Sequence, residues 1–181
     1  MHKTLATTAA LSVAALTLAL SAPAGAASIG VADPKDSHHG SDLRSVQVVN
    51  GDHNVRVVTT HTNLRRDPAT GSAGAVYLDT DPQDRGPEFV MVGGYFEGTD
   101  YQLLHTEGFG HRNWGRPVSG SYEMRVDYDK DLVRMRMSRA ALGRPGKVRA
   151  SVKVSGLHTD GTSVVDWLGD PRSFTRWVSR G

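Results

Sequence analysis

The stretch AVYLDTDPQDRGPEFVMV (residues 75–92) sets two apolar runs on either side of a compact group of acids, prolines and a glycine. In residues 75–80 and 88–96 apolar side chains fall on both alternating sets of positions. That is the pattern of strands covered on both faces, and so of strands central in a sheet. Asp81-Pro82 and Arg85-Gly86-Pro87 between them are turn chemistry, because proline presets φ and aspartate bonds its own local backbone. Two central strands joined by a constrained acidic turn are predicted.

Strict period-two alternation appears elsewhere. Residues 43–49 and 54–60 form one hairpin around Asn50-Gly51; matching the apolar faces favours a four-residue loop that sets Val48 opposite Val55 and Val46 opposite Val57. Tyr122, Met124, Val126 and Tyr128 alternate with Glu123, Arg125 and Asp127, and Val133, Met135 and Met137 alternate with Arg134 and Arg136. Closing that hairpin at Asp129-Lys130 places Val126 on Val133, Met124 on Met135, Tyr122 on Met137 and Glu123 on Arg136. Residues 147–155 give one more half-buried strand, and Ser138 starts a single turn that Gly143 and Pro145 end. No window has the length and period of an amphipathic helix. The expected fold is all-β, an antiparallel, jelly-roll-like β-sandwich of about seven to nine strands.

The chain has 181 residues. His2 and Lys3, a Ser/Thr-diluted apolar run over residues 5–20, and the small residues Ala24-Gly25-Ala26 compose a secretory signal peptide. Cleavage near Ala26 and release outside the cell are expected, with no membrane span, since the run falls short of about 20 apolar residues. Residues 27–41 are polar and turn-rich and read as a flexible lead-in, leaving 42–181 as one monomeric sandwich domain. Lys plus Arg number 21 against 19 Asp plus Glu, a near-balance that does not point to nucleic acid. With 0 cysteines, thiol chemistry and disulfide stapling are excluded.

Three groups could carry chemistry. Asp79 and Asp81 project to one face, with Asp84 and Glu88 across the turn; carboxylate oxygens so clustered suit a calcium ion. The alternative is that they only shape the turn, with Asp79 paired to an arginine. In the glycine-rich loop TEGFGHRNWGRPVSG (residues 106–120), Trp114 beside Phe109, His111 and Arg112 would make a stacking platform for a sugar ring, unless Trp114 folds back over the core. His105, Glu107 and His111 lack the HExxH helix of a zinc site, and Ser119 lacks the glycine of a nucleophile elbow. No catalytic residue is assigned.

VYLDTDPQDRGPEFVMV, then LVRMRMSRAALGRPGKVRASVKV and DWLGDP, resemble secreted β-sandwiches of the DOMON-like type, which include family 9 carbohydrate-binding modules. The resemblance implies a non-catalytic ligand-binding sandwich, often with calcium, in which Asp79 and Asp81 match the acidic strand end. The expected function is therefore binding of a glycan or cell-surface polymer. A small secreted hydrolase using Glu97 and Glu107 as acid and base, or a protein-interaction module, are the alternatives.

Overall fold

The computed structural model describes residues 27–181. Twelve strands are seen: β1 (Ala27–Ala32), β2 (Leu43–Asn50), β3 (Asn54–His61), β4 (Ala73–Asp79), β5 (Phe89–Gly94), β6 (Tyr101–Thr106), β7 (Trp114–Pro117), β8 (Tyr122–Asp127), β9 (Leu132–Ser138), β10 (Lys147–Leu157), β11 (Ser163–Trp167) and β12 (Val178–Ser179). One sheet has five strands in the order β1, β2, β3, β9, β8. The other has seven, in the order β11, β10, β4, β5, β6, β7, with β12 pairing β10. Every pairing is antiparallel, so the protein is an all-β sandwich. The strand count exceeds expectation because β1, β6, β7 and β11 add to the strands located from sequence; β1 and β7 are edge strands in turn-rich segments.

Inward side chains alternate along each strand and meet between the sheets. Val48, Val55, Val57 and Met137 from one sheet face Val76, Leu78, Met91 and Val152 from the other, all fully excluded from water. Each contributes roughly 1.5–3 kcal/mol by burial, set against the conformational entropy lost on ordering the chain. The strands around the acidic turn, β4 and β5, lie in the middle of the seven-stranded sheet, as their two-faced apolarity requires. The hairpin of β8 and β9 has the expected register, with Val126 on Val133, Met124 on Met135 and Glu123 on Arg136.

The first hairpin differs by two residues. Asn50 pairs Val55 and Val48 pairs Val57, so the turn is centred one residue later, on Asp52-His53, than the apolar match suggested. A shift of two keeps the same face inward, and the buried Asn50 side chain explains the choice. Its Nδ2 donates to the Val178 carbonyl at 3.1 Å and its Oδ1 accepts from Arg139 Nη1 at 2.7 Å, holding Asn50 in the strand.

The lead-in is not flexible as expected. Residues 27–32 form β1 on the edge of β2, and Ala27, Ile29 and Val31 pack on the core. Beyond it, Asp42 accepts from Ser37 N at 2.8 Å and Thr62 Oγ1 at 2.6 Å, while His39 contacts Ser41 Oγ at 2.8 Å and the Leu157 carbonyl at 3.1 Å. The signal peptide expected over residues 1–26 lies outside the described residues. Among those described, no helix is long and apolar enough to cross a membrane.

His61 is buried at the end of β3, 3% exposed, against the edge of Tyr95. Nδ1 donates to the Ser41 carbonyl at 2.8 Å, so Nε2 accepts from Thr59 Oγ1 at 2.7 Å. Burial lowers its pKa to about 4, although the Ser41 carbonyl, Asp131 and Asp42 favour the cation. The unfolded chain therefore takes up the His61 proton near pH 6.5 while the folded chain resists until about pH 4, and stability from this group is lost as pH falls through that window. The difference in unfolding free energy between wild type and His61→Gln should shrink by roughly 3 kcal/mol from pH 7 to pH 4 in urea titrations. A difference that stays constant would show that the imidazole titrates alike in both states.

Candidate functional site

The two outer faces of the sandwich are built differently. On the seven-stranded sheet, Ala75, Tyr77, Val90 and Leu104 point outward and are covered by Phe109, Trp114 and Trp167. The Tyr77 hydroxyl donates to the Phe109 carbonyl at 2.6 Å, and its ring meets Phe109 at 4.9 Å and Trp167 at 6.2 Å. Burial raises the Tyr77 pKa, with Trp114 and Arg172 acting in the opposite direction. This face is a second core.

Among the described residues, the five-stranded sheet has no such cover. Its outer face carries the polar half of the alternation, and register sorts it into rows. Arg56 on β3 stands opposite Arg136 on β9, which stands opposite Glu123 on β8; the next row sets Val58, Arg134 and Arg125 side by side. Arginines directly opposite one another repel across a ladder, and here that happens twice. Glu123 pairs with Arg125 and lies 3.6 Å from Arg136, and Asp127 takes Arg134 at 3.1 Å. The Arg134 hydrogen bond, chiefly, lowers the Asp127 pKa. Arg56 has no acidic partner among the described residues. These four guanidinium groups line an open cleft of about 480 Å³, whose floor includes Gln47 and Val58. Planar forked donors in surplus over acids suit carboxylate or phosphate groups on a ligand.

A larger opening of about 880 Å³ lies beside the lead-in, lined by His38, His39 and His158. The ring nitrogens of His39 already face Ser41 and Leu157, and its ring stands edge-on to His158 at 5.7 Å, so His39 ties the lead-in to β10.

The residues singled out from sequence are placed as follows. Asp79 is fully buried, and its Oδ2 accepts from Arg149 Nε at 2.8 Å and Nη2 at 2.6 Å. The guanidinium carbon of Arg149 lies 4.6 Å from the ring centres of both Phe174 and Trp177. Burial raises the Asp79 pKa even against the Arg149 hydrogen bonds. Exposed Asp81 accepts from Gln83 N, exposed Asp84 from Arg85 N, and Glu88 Oε2 from the Thr80 amide and hydroxyl. Among the described residues, Asp79, Asp81, Asp84 and Glu88 do not gather as an ion-binding group: Asp79 is turned to Arg149 of β10, while Asp81, Asp84 and Glu88 each accept from a donor within the turn.

Nor does Trp114 form an open platform. It is half-buried with a buried indole nitrogen, and His111 stacks on it at 4.1 Å. Phe109 packs inward on Tyr77, Trp167 and Phe174, leaving His111 and Arg112 exposed. Glu97 is exposed and paired with Arg66 at 2.9 Å; Glu107 is exposed, and neither lines either of the two openings above. The sequence pattern alone does not single out Arg56, Arg125, Arg134 and Arg136 as a group. The available signal was arginine on the wet side of three neighbouring strands. No protein-family model matches the chain, and no curated protein matches it.

Asp79→Ala would leave Arg149 without its buried anion. Because Arg149 is partly exposed, the expected loss is about 1–3 kcal/mol of unfolding free energy rather than the larger penalty of a fully buried pair. Trp177→Ala should cost less when added to Asp79→Ala than alone, since both act through Arg149. Strict additivity in a denaturation cycle would separate the two contacts.

Proposed function

We propose that this protein is a secreted, non-catalytic module that binds an acidic glycan or cell-surface polymer across the outer face of its five-stranded sheet. One observation carries the reading: four arginines stand in adjoining cross-strand rows around an open cleft, and Arg56 has no acidic partner among the described residues. An extended polymer suits such a face better than a small molecule, because the cleft is open to solvent and is lined from β2, β3, β8 and β9. Repeating carboxylates or phosphates would bridge Arg56 to Arg136, relieving the repulsion at Arg56 that Glu123 and Asp127 leave in place, and would add to the acid pairs of Arg125 and Arg134. Binding by this chemistry weakens as salt rises.

The hydrolase alternative finds no support in geometry. Glu97 and Glu107 line neither of the two openings described, and Asp79, whose pKa burial raises, is closed to substrate. The Trp114 loop lends its aromatic surface to the second core.

Affinity electrophoresis in gels containing a polyuronate or a neutral glucan tests the proposal. The polyuronate should retard wild type, and the neutral polymer should not. Arg56→Ala with Arg136→Ala should abolish most of the retardation, whereas Trp114→Ala, if folded, should retain it. Equal mobility in all gels, or loss only with Trp114→Ala, would sink the arginine-face reading.

A further inference from the structure

Directly after β1, Asp33 is drawn inward. Its amide donates to the Arg44 carbonyl at 2.9 Å, and its Oδ1 accepts from Gly169 N at 2.8 Å. The residue is 5% exposed, yet its second carboxylate oxygen, Oδ2, is buried with no hydrogen-bond partner. Beside it lies Asp166 of β11, 6% exposed, with Oδ2 accepting from Leu43 N at 2.8 Å. Asp36, exposed in the lead-in, completes a trio in which one oxygen from each residue lies within 4.8 Å of the others. The basic side chain at hand, Arg44, is directed to Asp42 at 3.6 Å.

Three carboxylates this close repel, and a buried, unbonded carboxylate oxygen is costly to desolvate. A cation resolves both problems at once. Two oxygens bound at about 2.3–2.6 Å on opposite sides of a calcium ion stand about 5 Å apart, so the trio's spread lies within one ion's reach. The donors are all hard oxygens, without histidine or cysteine, which disfavours zinc or copper. Asp36 opens the site to solvent on one side, where waters can complete the six to eight ligands calcium takes.

We infer that Asp33, Asp36 and Asp166 form a calcium site that joins the segment after β1 to β11. β1 is an edge of the five-stranded sheet and β11 an edge of the seven-stranded sheet, so the ion staples one side of the sandwich across its two layers. The acidic turn of residues 79–88 takes no part.

Thermal melts of the chelator-stripped protein, with and without calcium, test this. At a hundredfold excess of calcium over Kd, wild type should gain about 5–10 °C, and magnesium should give less than about half of that. Asp36→Ala, at an exposed position that should not disturb folding, should lose most of the gain, and Asp84→Ala should keep it. Asp166→Asn can still accept from Leu43 N; it should melt at or above wild type in chelator and below it in calcium, a crossing that a purely structural role would not give. The inference is overturned by no calcium shift in wild type, by an equal shift with magnesium, by a gain retained in Asp36→Ala, or by one lost equally in Asp84→Ala.

Discussion

The pairing of β4 with β10 is the constraint on which the rest of the sandwich depends. These strands lie some 70 residues apart in sequence, and their register sets Val76 beside Val152 on the inner face and Asp79 beside Arg149 at the end of the ladder. A slip of one residue would turn the inner valines outward and break the buried ion pair together. On the outer side the same register places Tyr77 by Ser151 and Ala75 by Lys153, the surface on which Phe109 and Trp167 settle. The C-terminal segment is held there too: Phe174 and Trp177 flank Arg149, and β12 pairs with β10. Non-local contacts of this kind cost loop-closure entropy before they reward it, so cooperative formation of this pair with its aromatic cover is expected to limit folding.

From that constraint follows an asymmetry between the faces. Aromatic residues from loop and tail converge on the seven-stranded sheet because its outer side chains are small or apolar enough to be covered. The five-stranded sheet presents arginine at Arg56, Arg125, Arg134 and Arg136, groups that would be costly to bury without matched anions. One face is used for stability and the other is left wet, and only the wet face can offer its polar groups to a large partner. The exposed arginine face and the core thus come from the same alternation, read on opposite sides of the strands.

Strands with a clean period of two were legible from sequence: β8, β9 and β10 follow from Met124, Met135 and Val152 and their neighbours, and β4 with β5 from apolarity on both faces. What escaped was decided by contacts across long separations. The register of the first hairpin depends on Asn50 meeting Arg139 and Val178, partners no local window contains. β1 was concealed by Gly30 and the polar residues after it, although Ala27, Ile29 and Val31 alternate. For Asp79 the alternative of an arginine partner holds, but that the arginine is Arg149 is set by the long-range register of β4 on β10. Of the acids that do converge, Asp33 and Asp36 are three apart, but Asp166 lies most of the domain away, so no spacing rule could complete the trio.

Those acids also address a problem that every open sandwich faces. A sheet edge leaves backbone groups unpaired, and two edges side by side can splay apart unless something crosses between layers. With 0 cysteines, this chain has no covalent bridge to use. At the edge formed by β1 and β11 it uses side-chain carboxylates that accept backbone N–H groups from the opposite layer: Asp166 on β11 takes Leu43 N of β2, and Asp33 after β1 takes Gly169 N after β11. The two bonds run in opposite directions across the gap, so neither layer can shift without breaking one of them. The same reciprocity brings the two carboxylates together, and the like charge concentrated there is the electrostatic consequence of closing the edge with acids.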